Sequence, residues 1–297
     1  MFAPLIDPIL PVFAIVAIGF NLGRTGRVNQ DDARVLNRIA MTLLLPILLF
    51  GLLYNAPVQD LRLVPITLYA ATQYAIFLAG YALARVVFKL PVPEAILLAM
   101  AGVFSNTVLY VMPLSVLLYG PDNVLPMTAI ITLDSVVTFA AAIMAMEIVT
   151  KDRANVALTL GRLAKSPLLI AMAAGLAVNI AGLQVPAPVM TFVDFNGAAA
   201  PPLALFALGV VLAQTPLKPD ALTLAFTGIK LIVFPLAIAV TVGWGLGGSQ
   251  QYVLGAAGPA GAMSFSLALL YGVRTEVMSR VIVYTSVLTL FTLAALA

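Results

Sequence analysis

Apolar residues run along this chain in long stretches cut by short polar breaks, with no sustained alternation of period 2 and no one-sided helical stripe. A helix needs about 20 apolar residues to cross the hydrocarbon core of a bilayer. By that rule the runs at 8–23, 35–55, 64–88, 94–119, 125–149, 166–183, 188–213, 221–246, 251–271 and 277–296 each predict a membrane span, ten in all. The breaks carry turn chemistry, as at Gly120-Pro121-Asp122-Asn123, Pro216-Leu217-Lys218-Pro219-Asp220 and Gly247-Gly248-Ser249. The longest, around Lys151 to Lys165, is too short for a soluble domain. Met1 to Asp7 has no basic n-region, so the first run reads as a retained span rather than a signal peptide.

Two of the runs are unlike the rest. The fourth carries the polar triplet Ser105-Asn106-Thr107 at mid-span, with Pro113 further on. The ninth carries Gly258-Pro259-Ala260-Gly261 and then Ser264. Gly and Pro loosen or break a helix and free N–H and C=O groups, which at bilayer depth must be buried in protein or line a cavity. One reading is a pair of proline kinks in packing helices. The other is a binding site, with freed N–H groups favouring an anion and freed carbonyls a cation. That both breaks fall in the same slot of their half of the chain favours the site.

Composition agrees with the pattern. Hydrophobic residues make up 62% and charged residues 9%, with a mean hydropathy of +1.10. A soluble domain has about 25% charged residues, so lipid must be the solvent here. Cys and His are absent, which removes disulfides, thiol chemistry, Cys/His metal sites and His-based triads. No carboxylate cluster has metal-ligand spacing and no phosphate-binding glycine loop is present, so neither a metal centre, an enzyme nor an ATP-driven pump is expected.

The formal charge is +3, and its placement reports topology rather than nucleic acid. With the N-terminus outside, basic residues from Arg24 and Arg27 through Arg85, Lys151 and Arg280 fall in breaks on the cytoplasmic side. Arg62 falls outside and Lys230 within a span. This predicts a multi-pass protein of the cell (inner or plasma) membrane, with both termini outside. Five spans per half (1–150 and 151–297) force the second half to start on the opposite side, which makes an inverted repeat. Pro46-Ile47-Leu48-Leu49-Phe50 echoing Pro202-Leu203-Ala204-Leu205-Phe206 is its trace in sequence.

Ionisable residues within spans cost about 2.5–3.5 kcal/mol each on insertion scales and should face protein or water. Asp134 and Lys230 lie near the middle of the fifth and eighth runs. They either pair structurally, move a proton, or balance a substrate charge. Asp194 lies some two turns into the seventh run beside Asn196, or else at the interface. Glu147 is expected to snorkel to water, Gln73 to join helices, and Trp244 to anchor at the interface.

At these residues the sequence resembles the auxin efflux carrier family, the plant PIN-type carriers and their bacterial relatives, within the bile acid/auxin carrier superfamily. Leu36-Asn37-Arg38 with Leu45-Pro46, Ser105-Asn106-Thr107 with Pro113-Leu114, Pro202 to Gly209 with Gln214-Thr215-Pro216, and Pro259-Ala260-Gly261 with Phe265 and Tyr271 carry the likeness. The resemblance implies an all-α fold of two inverted five-helix repeats, with broken helices 4 and 9 crossing at the substrate site. It implies a scaffold of helices 1, 2, 6 and 7, often dimeric, and a transport domain of helices 3–5 and 8–10 moving elevator-fashion. The implied cargo is a small organic anion: auxin in plants, carboxylates such as malonate in bacteria. Asn106, Pro113 and Pro259 are then crossover residues, with Thr107, Gly258, Gly261 and Ser264 beside them in the substrate site. Asp134, Lys230, Gln73 and Asp194 are the candidates for coupling to H+ or Na+ or for charge balance, and no other cofactor is expected. The plant Asp and Lys that flank the third-span Gln are missing from Ala70-Ala71-Thr72-Gln73-Tyr74-Ala75, and Ser264 stands where plants have a second proline. The alternative class is a membrane-embedded sensor that binds a small anion without moving it.

Overall fold

The computed structural model describes the chain except residues 1, 2, 57, 61, 121–124, 151–163, 216, 217, 219, 245–249 and 297. The turns predicted at Pro121-Asp122-Asn123, at Pro216, Leu217 and Pro219, and at Gly247-Gly248-Ser249, with most of the Lys151–Lys165 break, therefore lie outside the described residues. Among the described residues the regular structure is helical, apart from one isolated bridge between Ser105 and Ala260.

The helices are α1 (Ala3–Arg24), α2 (Gln30–Tyr54), α3 (Leu63–Val87), α4 (Val92–Val103), α5 (107–119), α6 (Leu125–Thr150), α7 (Pro167–Ile180), α8 (Ala187–Leu212), α9 (Ala221–Gly243), α10 (Gln250–Ala257), α11 (Met263–Leu270) and α12 (Glu276–Leu296). Five of them, α2, α3, α6, α8 and α9, are long and apolar enough to cross a membrane, and α4 and α7 are shorter apolar helices. The fourth predicted run is thus two helices, α4 and α5, and the ninth is α10 and α11. Local chemistry sets several ends. Asn29 caps α2 in a capping box with Asp32, and Asp220 caps α9 by accepting from the Thr223 N–H at 2.7 Å. Pro167 opens α7, where its missing N–H leaves no bond unmade.

Two packing groups result. In the first, α1 lies on the second half of α8, and the second half of α2 lies against α7 and the first half of α8. Small residues bring these backbones together: a Cβ at Gly209 would meet the Val16 carbonyl and the Phe20 nitrogen, and one at Gly19 would meet the Phe206 carbonyl. Between membrane helices close approach of this kind replaces the hydrophobic drive that lipid does not supply. In the second group α3 packs on α4, α6 on α4 and α10, and α9 on α10 and α12.

The α4–α5 and α10–α11 breaks meet at the heart of the second group. Phe104 is extended (φ −90°, ψ 114°), and Asn106 sits at φ −77°, ψ 65° before α5 begins. The Asn106 N–H donates to the Pro259 carbonyl at 2.8 Å, and the Gly261 N–H donates to the Phe104 carbonyl at 2.8 Å. Each break thereby satisfies the backbone of the other, as burial away from water demands. Glycine is required for this approach, since a Cβ at Gly261 would lie 2.7 Å from Phe104 Cδ1 and 3.1 Å from the Ser105 carbonyl.

Candidate functional site

Side chains from three neighbouring helices hold three further freed backbone groups. Gln73, buried in α3, donates from Nε2 to the Val103 carbonyl at the end of α4 (3.3 Å) and to Asp134 Oδ1 (2.7 Å). Its Oε1 accepts from the Thr138 hydroxyl at 3.3 Å. Lys230, fully buried in α9, donates from Nζ to the Ala256 carbonyl at the end of α10 (2.7 Å) and to Ser105 Oγ in the opposite break (2.8 Å). The Ala260 N–H, which the break at Pro259 frees, donates to Thr285 Oγ1 of α12 at 3.0 Å. Asp134 and Lys230 make no direct ion pair; they interact electrostatically from separate clamps. Wide i→i+5 turns at Asp134–Phe139 and Ile229–Val233, two of several among the described helices, begin at Asp134 and one residue before Lys230.

Against this crossover lies a cavity of about 80 Å³. Asn106, Thr107 and Val108, the start of α5, and Gly261, Ala262 and Met263, the start of α11, form one wall. Asp134, Ser135 and Phe139 come from α6. The opposite wall, with Leu45, Leu49, Pro201 and Leu205, belongs to α2 and α8. The first turn of each half-helix leaves N–H groups without an intrahelical partner, and here both first turns end on one cavity. A cavity of this size holds several waters or one small ligand, well below a drug-sized pocket of roughly 300 Å³ or more.

A second cavity, of about 300 Å³, shares Leu48, Leu52, Ile131 and Ser135 with the first and opens past Asn55 and Asp194. A third, of about 580 Å³, lies at the opposite helix ends, where Arg34, Arg274 and Arg280 line it, and shares no lining residue with the first. Between the first and the third, buried Asn37 of α2 donates from Nδ2 to the Ser266 carbonyl of α11 at 2.9 Å.

The structure brings most of the sequence-predicted residues together. Asn106, Thr107, Gly261 and Asp134 line the first cavity. Gly258 and Pro259 are buried in the backbone pairing behind it, and Ser264 is buried with its hydroxyl on the Gly261 carbonyl at 3.3 Å. Pro113 stands at the start of the helical turn Met112–Tyr119, inside α5 and beyond the break itself. Lys230 lies behind the crossover rather than on the cavity wall. Asp194 is exposed at the mouth of the second cavity. Gln73, which the sequence suggested as interhelical glue, also holds the Asp134 carboxylate. Glu147 is half-buried and accepts from the Tyr271 hydroxyl at 2.9 Å, a protein partner in place of the expected route to water. Sequence reasoning missed Thr138 and Thr285 as clamps; a threonine in mid-span is the signal that marks them.

A helical membrane protein in which two broken helices pair at a buried cavity, with ionisable groups tied to the freed backbone, belongs to the class of membrane transporters. The comparisons with known proteins give the particular family. The family model described as "Membrane transport protein" matches residues 4–158 and 151–297, and the chain belongs to that family, of the auxin efflux and bile acid carrier type. It is 30% identical over 301 residues, covering 97% of this chain and 93% of the relative, to a protein of Rhizobium meliloti (strain 1021) named "Putative malonate transporter".

Proposed function

We propose that the protein is a secondary active carrier of a small organic anion, a mono- or dicarboxylate, working by elevator-type alternating access. The observation that carries this reading is the convergence of the α5 and α11 first turns on one small cavity, where unpaired N–H groups and two helix dipoles favour a carboxylate. The "Putative malonate transporter" relative supports the same substrate class. The cavity size favours an anion of a few heavy atoms.

In this reading α1, α2, α7 and α8 form a scaffold through which two copies associate, and the other helices form the moving transport domain. The ten runs then make two inverted five-helix repeats, over 1–150 and 151–297. Support comes from the paired clamps: Gln73 on the carbonyl that ends α4 has its counterpart in Lys230 on the carbonyl that ends α10. With both termini outside the cell membrane, the cavity that joins the second one past Asn55 and Asp194 faces outward. Asp134 is the acid placed to answer a coupling ion, because it both lines the cavity and bonds Gln73.

Thermal stabilisation of the purified protein, screened over mono- and dicarboxylates, tests the site. Stabilisation by at least one carboxylate, weakened about tenfold or more by Asn106→Ala, is expected if a backbone-and-amide anion cradle is lost. No stabilisation by any carboxylate, or unchanged binding in Asn106→Ala, removes the assignment.

A further inference from the structure

Carriers built on broken helices present two kinds of end to their cargo: N-termini that attract anions, and C-terminal carbonyls that coordinate a cation such as Na+. The C-terminal ends here are those of α4 and α10. The α4 end has a neutral partner, the Gln73 amide on the Val103 carbonyl. The α10 end is different. The break at Pro259 strips the Ala256 carbonyl of its intrahelical partner, because the Ala260 N–H turns to Thr285 Oγ1 instead. The carbonyl sits at the negative end of a helix dipole, beside a hydroxyl oxygen, Ser105 Oγ, from the other break. Two oxygens from two chain segments, buried and facing one point, are both acceptors suited to a positive charge. Lys230 Nζ occupies that point, 2.7 Å from the carbonyl and 2.8 Å from the hydroxyl. The ring of Phe234 lies 5.0 Å from Nζ, and its face adds to the attraction for a positive charge.

We infer that the Lys230 ammonium is a tethered cation filling the α10-end site, so that anion binding and flux in this protein need no Na+. The inference rests on the carrier reading above. It makes Lys230 a positioning residue: it touches no substrate, and it fixes the two breaks relative to each other by bonding one group from each. No carboxylate bonds Nζ directly; its neighbours are the half-helix end, the Ser105 hydroxyl and the Phe234 ring.

The test has two arms. In the first, wild-type protein in liposomes takes up labelled malonate with Na+ or with choline as the external cation. Equal uptake within about twofold is expected, and a loss of about tenfold in choline overturns the inference. Failure of malonate to enter in either medium counts against the substrate reading alone, and the second arm then decides. There, Lys230→Ala is purified and its thermal midpoint followed with n-propylammonium, Na+ or choline; n-propylammonium replaces the deleted atoms of the side chain. The midpoint is expected to fall below wild type and to recover with n-propylammonium or Na+ but not with choline, while wild type responds to none of them. A Lys230→Ala protein as stable as wild type, or one that no small cation restores, overturns the inference. If that variant does not survive purification, Lys230→Met keeps the aliphatic stem and is read for recovery on its own: folded protein as stable as wild type in choline overturns the cation role.

Discussion

Replacing Gln73 by Leu keeps the side-chain volume and removes three hydrogen bonds at once. Asp134 Oδ1 loses its 2.7 Å donor, the Val103 carbonyl loses its 3.3 Å donor, and Thr138 loses its acceptor. Gln73 is 1% exposed and Asp134 3%, so bulk solvent does not reach these partners. Asp134 Oδ2 has no hydrogen-bond partner, so the change leaves the carboxylate with the neighbouring Thr138 hydroxyl as its remaining side-chain partner. The charged bond contributes about 1.5–3 kcal/mol. The two neutral ones contribute about 0.6 kcal/mol each on the scale measured between membrane helices. Gln73→Leu should then destabilise the protein by about 3–4 kcal/mol, most of it through one carboxylate. Unfolding in mixed micelles, followed by far-UV circular dichroism, measures the loss. A double-mutant cycle apportions it: in an Asp134→Asn background the same Gln73→Leu change should cost only about 1–2 kcal/mol, because no charge is stranded. Gln73→Leu within about 0.5 kcal/mol of wild type, or effects that add in the double variant, would refute the clamp.

Two further expectations follow from the packing and the surface. Gly209→Ala should destabilise by about 1–3 kcal/mol, because its Cβ meets the Val16 carbonyl across the α1–α8 contact; Gly228→Ala, with open space around it, should be neutral or stabilising, and thermal midpoints of the pair check the contrast. Partial burial pushes the Asp220 carboxyl up, but hydrogen bonding from Thr223 and the Arg280 guanidinium outweigh it and hold it below the ordinary carboxylate range. The stability this contributes is complete above about pH 4 and lost as the pH falls through the lowered value, so Asp220→Asn should flatten the acid limb of a midpoint-against-pH curve.

The helices were legible because lipid imposes one rule on sequence, long apolar runs with short polar breaks, and the bounds at Arg24, Tyr54, Val87 and Thr150 fall within a residue or so of the predicted edges. The interruptions were legible too: the polar triplet Ser105-Asn106-Thr107 marks the break of the fourth run, although Pro113 was read as part of it. Pro113 drew attention because proline is a conspicuous breaker, yet the helix opens earlier, at Phe104–Asn106, where no proline stands. There the extended backbone depends on its partner strand at Pro259–Gly261, and a pairing between residues more than 150 positions apart leaves no local signal. The same limit applies to Lys230. Its mid-span depth marked it as functional, but depth cannot say which freed carbonyl it meets, and the Ala256 carbonyl is visible only once α9 is laid against α10. Gln73 was underestimated for a related reason. An uncharged amide inserts into a membrane cheaply, so composition gives it little weight, although it holds the buried carboxylate beside the cavity.

The same contacts bear on the proposed alternating access. The connection of the first cavity to the second is lined by residues of both packing groups, Leu48 and Leu52 from α2 and Ile131 and Ser135 from α6. On the other side a hydrogen bond crosses the boundary: Asn37 of α2 holds the Ser266 carbonyl of α11. If α3–α6 and α9–α12 slide as a body past α1, α2, α7 and α8, the clamps made by Gln73, Lys230 and Thr285 travel intact, because every partner they hold lies within the moving body. The Asn37 bond is different, since its donor lies in one packing group and its acceptor in the other. The amide oxygen of Asn37, Oδ1, is without a partner, so the side chain is held through Nδ2 alone. A single neutral bond of about 0.6–1 kcal/mol is weak enough to break thermally and strong enough to favour one side, as an alternating carrier requires. The crossover is thus tied by several bonds within its own group, while the Asn37 bond spans the boundary, the arrangement that the proposed alternating access needs if the breaks are to move together.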